Sequence, residues 1–184
     1  YIYNYKMNPE IKLHKDDLPD NLVLGPIVAC DSEFTGLTPG KDKLCLIQLC
    51  AANSKEVHII QLDRQTYQNP NLNKLLIDKN VKKIFHFARK DLEMIKFYLK
   101  IDVENIECSK LQSRIARGYS DQHSYKALVK EFIGIDISNN FDDPQRAIFG
   151  TTGTSGATFF VPNKILPSKS GVLWQGVDNS LHSH

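Results

Sequence analysis

Asp31 and Glu33 stand two residues apart at the end of the apolar run Ile27-Val28-Ala29-Cys30. In a strand, residues i and i+2 point to the same face, so this spacing aims two carboxylates at one spot. Carboxylates that close repel, and one takes up a proton unless a positive charge lies between them. Mg²⁺ and Mn²⁺ fill that role well, being hard cations that prefer carboxylate oxygen and water. On spacing alone a second reading stands beside this one. Gly36 follows shortly, and the pair can equally be two solvated residues where a strand runs into a turn.

The elements around the pair decide what it faces. Ile27 to Glu33, Leu44 to Leu49 and Val57 to Leu62 read as three consecutive strands with short polar turns, spaced for antiparallel pairing. Asn71 to Ile77 reads as a short helix with Leu72, Leu75 and Leu76 on one face. Val81 to Phe87 is a further strand, Ala88 to Leu99 an amphipathic helix, and Asn105 to Cys108 a short strand. Ser109 opens a helix to about Ala116. Ser120 or Asp121 offers the N-cap of another from His123 to Phe132, closed by Gly134. Strands first, then alternating helix and strand, imply one mixed sheet with helices packed on it.

Composition bounds the answer without naming it. The 184 residues, 41% hydrophobic and 24% charged, suit one globular domain with a substantial core. No apolar run approaches the roughly 20 residues that span a bilayer, so no membrane role is expected. Cys30, Cys45, Cys50 and Cys108 form no C-x-x-C pair and lie in or beside apolar segments, which reads as reduced thiols in a cytoplasmic protein. The net charge of +2 is small, but Lys82 to Lys130 holds eleven Lys or Arg against six Asp or Glu. That stretch is the candidate nucleic-acid face. The sequence carries no signal for a protein partner.

The order Asp31-Ser32-Glu33-Phe34, then Phe85-His86-Phe87-Ala88-Arg89-Lys90-Asp91-Leu92, resembles the DEDD superfamily of 3'-5' exonucleases. Within it the ribonuclease D family is the nearest likeness. Asp42 to Leu49 after the first motif supports it, as do Ser109 to Arg114 after the second and His123-Ser124-Tyr125-Lys126-Ala127-Leu128 through Ser138. The likeness covers roughly residues 8 to 139. It implies an α/β, ribonuclease H-like exonuclease fold: a mixed sheet of about five strands, the first three antiparallel, flanked by helices, with the C-terminal part truncated or replaced. Members of this superfamily are similar in holding two Mg²⁺ or Mn²⁺ ions on four carboxylates, which activate water and stabilise the charge on the phosphate being cleaved. Carried over, the catalytic and metal-holding residues are Asp31, Glu33 and Asp91, with Asp31 bridging the ions.

The implied reaction is stepwise removal of nucleotides from single-stranded RNA 3' ends, with tRNA precursors as substrates. Phe34 and Phe87 are candidates to stack on terminal bases. Arg89, Lys90, Arg114, Arg117 and Lys126 are candidates for phosphate contacts. His86 is grouped with this nucleic-acid face, although its place at a strand end reads first as packed or hydrogen-bonded.

The family's third motif, a Tyr a few residues before an Asp on a late helix, has no counterpart. No Tyr follows Tyr125, and Asp136, Asp142, Asp143 and Asp178 lack a Tyr or His three to five residues ahead. From Ala147 to His184 only Lys164, Lys169 and Asp178 are charged, and five of the ten glycines lie there. The expected organisation is an N-terminal extension at 1–7, an incomplete exonuclease domain at 8–140, and an atypical low-charge tail at 141–184. A lost reading frame near Asn140 is one account of that tail, and a divergent C-terminus with a new role is the other. Without its fourth carboxylate the two-metal site would be weakened. The alternative function is therefore a catalytically impaired remnant that retains nucleic-acid binding, and an exonuclease acting on DNA is a third reading.

Overall fold

The computed structural model describes residues 10–52 and 54–136. In chain order the elements are β1 Glu10–Lys15, β2 Ile27–Phe34, β3 Leu44–Ala51, β4 Glu56–Gln61, α1 Pro70–Ile77, β5 Lys82–Phe85, α2 Arg89–Leu99, β6 Ile106–Cys108, α3 Ser109–Ala116 and α4 Tyr125–Ile133. The strands form one mixed sheet in the order β1-β4-β3-β2-β5-β6. β2, β3 and β4 pair antiparallel as their tight connections require, while β1, β5 and β6 join in parallel.

The sheet therefore has six strands where the sequence reading expected about five. The missed one, β1, is Glu-Ile-Lys-Leu-His-Lys, in which only Ile11 and Leu13 are apolar. It is an edge strand, whose charged residues suit its exposed side. Its existence depends on a long-range parallel register with β4, Glu10 opposite Glu56 and Lys15 opposite Gln61.

One face of the sheet carries the core. Val28, Cys30, Ile47, Leu49, Ile60 and Phe85 from the strands meet Leu72 and Leu76 of α1 and Met94, Ile95 and Leu99 of α2. α1 begins at Pro70, whose fixed φ suits a first helical position. The Asp17 carboxylate accepts from the amides of Asn71 and Leu72, both at 2.9 Å, so a remote side chain satisfies the helix start. α4 starts at Tyr125, later than expected, because Ser124 is its N-cap and accepts from the Ala127 amide at 3.3 Å. Gly134 closes it at φ 75°, a left-handed conformation that glycine adopts without strain.

Among the described residues no helix is long and apolar enough to cross a membrane. All four cysteines are free thiols. The sequence readings of residues 1–7 and 141–184, including the third-motif segment, lie outside the described residues.

Candidate active site

The site grows from the end of β2. Asp31 and Glu33 share a face of that strand by its period of two, and both are buried, 8% and 5% exposed. Asp91 arrives from α2. Its spacing from Met94, Ile95 and Leu99 is i+3, i+4 and i+8, so it continues the helix stripe that turns toward the sheet. In the first turn a carboxylate is also favoured by the helix dipole. Its Oδ1 accepts from the Ser32 hydroxyl at 2.6 Å and the Ser32 amide at 3.1 Å. The second-motif carboxylate is thereby fixed to the residue between the two first-motif carboxylates.

The loop after Glu33 is strapped to the same helix. Tyr98 of α2 accepts from the Gly40 amide at 3.1 Å and donates to the Asp42 carbonyl. Lys90 donates to the Leu37 carbonyl at 2.6 Å. A Cβ at Gly36 would lie 2.5 Å from Cγ of Asp42, so any other residue in this turn would displace that side chain.

The electrostatics are those of negative charge packed out of water. Burial, then the charges of Glu33 and Asp91, pushes the Asp31 carboxyl well above the carboxylate range. Burial, then Asp91, raises Glu33 to about 8. Burial raises Asp91 to about 6 against the lowering effect of its Ser32 bond. Oδ2 of Asp31 and Oε1 of Glu33 have no hydrogen-bond partner among the described residues, and such buried orphan atoms cost about 1–3 kcal/mol each. All-oxygen, anionic and partly unpartnered, the set fits a hard divalent cation in its chemistry. Among the described residues no three His, Cys, Asp or Glu side chains are drawn together enough to enclose an ion by themselves.

Phe34 is half-buried and packs on the core. Phe87 is 51% exposed at φ 66°, with the Lys110 ammonium 3.8 Å from its ring centre. His86 bonds Oγ of Ser109 through Nδ1 at 2.9 Å, and that hydroxyl donates to the Phe85 carbonyl at 3.2 Å. With the hydroxyl proton so used, Nδ1 carries the imidazole hydrogen. Burial, then Lys110, lowers His86 to about 4, so the ring is neutral.

Arg89, two positions before Asp91, lies around the helix from it in a hollow with Leu92, Lys96 and Asp102. Lys126 opens onto another hollow, with Lys130, Glu131 and Asp136, that contains none of the three carboxylates. Arg114 is exposed on α3.

Part of the basic stretch is spent internally. Lys83 is fully buried, donating to the carbonyls of Asp78 and Val81 at 2.6 and 2.8 Å. Arg117, a candidate for phosphate contact in the sequence, is 8% exposed and pairs with Glu131. Lys90 pairs with Glu93 at 2.6 Å and Lys130 with Asp136 at 2.6 Å. Asp136 is thus engaged at the end of α4.

Three residues near the carboxylates escaped sequence reasoning. Ser32 has no role in the sequence reading beyond its place in the motif. Gln48 faces Asp31 across β2 and β3, and counting the antiparallel register would have found it. Tyr125 meets the His86 ring edge-on at 5.6 Å between centres, and burial together with the Asp31 charge raises its phenol to about 12. Only folding brings α4 there.

A family model described as 3'-5' exonuclease matches residues 15–143. Ribonuclease D of Acidiphilium cryptum is 31% identical over 129 residues, 68% of this chain and 32% of that protein. The chain spans about a third of the length of the curated relatives it matches. The structure of Brucella melitensis NrnC with bound Mg²⁺ superposes with TM-score 0.66 at 27% identity, covering 91% of this chain and 74% of that one. NrnC bound to pGG gives 0.67 at 28% identity, covering 85% and 72%.

Proposed function

This chain belongs to the 3'-5' exonuclease family, and we propose that it is a ribonuclease D-like, metal-dependent 3'-5' exoribonuclease domain. The observation that carries this is the Asp91–Ser32 bond, which brings a third buried carboxylate to the Asp31–Glu33 pair. Asp31, Glu33 and Asp91 would hold Mg²⁺ or Mn²⁺. A bound ion supplies neutralising charge and an activated water for phosphodiester hydrolysis. One structural neighbour with bound Mg²⁺ and another bound to pGG support a divalent ion and a short nucleotide ligand.

The chain's own residues supply the rest. Phe87 offers an exposed ring for a terminal base, with Lys110 above it as a partner for phosphate. Neutral His86 is a hydrogen-bonding group on the same strand end. RNA ends of the tRNA-precursor type are the proposed substrate, supported by the ribonuclease D relatives. A cytoplasmic setting belongs to the same proposal, supported by four free thiols.

The test is a 3'-labelled single-stranded RNA incubated with the chain and Mn²⁺, beside an Asp31→Ala control and a DNA strand of the same sequence. Stepwise shortening of RNA by the chain and not by the control is expected. Binding without shortening would overturn the enzymatic reading, and faster shortening of the DNA would overturn the substrate.

A further inference from the structure

Gln48 is the direct cross-strand partner of Asp31 in the β2–β3 register. Opposed residues of an antiparallel pair share a sheet face, with Cβ atoms about 4.5–5.5 Å apart. Gln48 is the only amide in the otherwise apolar strand Leu44–Ala51, and it is 3% exposed. Neither Oε1 nor Nε2 has a hydrogen-bond partner among the described residues. Asn69 and Asn73 each leave one buried oxygen unpartnered, whereas among the described residues Gln48 alone leaves both ends of its amide so.

A glutamine kept for structure spends its amide on the protein around it. Gln48 does not. Its two idle groups lie on the same face as two idle oxygens, Oδ2 of Asp31 and Oε1 of Glu33. One acceptor and one two-proton donor beside two anionic acceptors complement a hydrated cation. Water on such an ion donates to an amide oxygen, and a carboxylate oxygen turned from the ion accepts from an amide N–H. Mg²⁺ in particular keeps several of its waters when protein carboxylates bind it. Groups that orient such ligands tune metal affinity, and loss of one typically costs about 10- to 100-fold.

We propose that Gln48 is a positioning residue that holds a water ligand of the divalent cation carried by Asp31 and Glu33. Oε1 accepts from the water while Nε2 steadies the neighbouring carboxylate. The inference rests on the metal-binding reading above and assigns a role to a residue outside the three carboxylates.

Mn²⁺ titration of the full chain, followed by electron paramagnetic resonance and water-proton relaxation, tests it together with thermal melting without added metal. Q48L is expected to weaken Mn²⁺ binding about 10- to 100-fold. Its metal-free melting temperature is expected to stay level or rise, because an unpaired buried amide gives way to an apolar group of similar size. Q48E keeps the acceptor and is expected to bind Mn²⁺ at least as tightly as the wild type. Wild-type affinity in Q48L, with D31A lost, would overturn the role of Gln48 and leave the metal site standing. A fall in the metal-free melting temperature of Q48L would show a structural glutamine and overturn it as well. Equal Mn²⁺ binding by wild type and D31A would overturn the metal reading itself and this inference with it.

Discussion

Asp91 is bound twice by Ser32, through the hydroxyl at 2.6 Å and the amide at 3.1 Å, both onto one carboxylate oxygen. Fifty-nine positions of sequence separate the two residues. The contact is buried and charge-assisted, so it orients Asp91 more firmly than a surface bond could. Ser32→Ala is expected to lower stability by about 1–3 kcal/mol in chemical denaturation. It is also expected to weaken Mn²⁺ binding by about tenfold or more, as loss of an orienting partner does. Unchanged Mn²⁺ affinity would detach this bond from the site.

Stability should fall with rising pH in the neutral range when divalent ions are absent. Burial and mutual charge raise Glu33 to about 8, Asp91 to about 6, and Asp31 upward as well. The folded chain then holds protons that the unfolded chain releases near pH ~4. This contribution is complete below the unfolded value and is lost as pH rises through the folded ones. The histidines act in the opposite sense, because burial lowers His14, His58 and His86, and stability is lost as they are forced to protonate. Above about pH 6.5 they are mostly neutral in both states, leaving the carboxylates in control. The melting temperature is expected to drop between about pH 6.5 and 8, with millimolar Mg²⁺ restoring more at the upper end. A flat profile, or one unaltered by Asp31→Asn, would contradict this.

Phe87 combines an exposed ring with a left-handed backbone that bulky residues adopt at a cost. Phe87→Gly removes the ring and relieves the conformation. Fluorescence anisotropy should show single-stranded RNA binding weakened by about 1–3 kcal/mol, the worth of one base–aromatic stack. Melting temperature should hold or rise. Intact RNA affinity would show that the ring is not a stacking platform.

Tyr98 bridges the Gly40 amide and the Asp42 carbonyl, tying the loop after Glu33 to the helix that bears Asp91. Tyr98→Phe deletes both bonds and keeps the packing on Tyr67. A loss of about 1–2 kcal/mol is expected for two partly exposed hydrogen bonds. Hydrogen exchange should quicken at residues 36–43 and remain slow in β3. Uniform acceleration across the sheet would mean that the strap is not local.

Much of this was legible before folding. Apolar runs, the 3.6-residue period and helix start and stop residues marked five of the six strands and all four helices. β1 escaped, since an edge strand with two apolar residues needs little pattern of its own. The helix cap at Ser124 lay a few residues from the expected one. Among several candidate caps, the one that works is the one whose hydroxyl reaches an amide in the folded turn.

At the site the division follows range. Residue types and local spacing determined that Asp31 and Glu33 share a face, that Asp91 rides the apolar stripe of its helix, and which family the whole resembles. Tertiary structure alone decided that Asp91 docks on Ser32, that Gln48 stands opposite Asp31 with an idle amide, and that Lys83 and Arg117 turn inward instead of joining a basic path. A side chain's direction along one element follows from that element's period. Its partners on another element depend on register and packing between segments tens of residues apart, which no local pattern encodes.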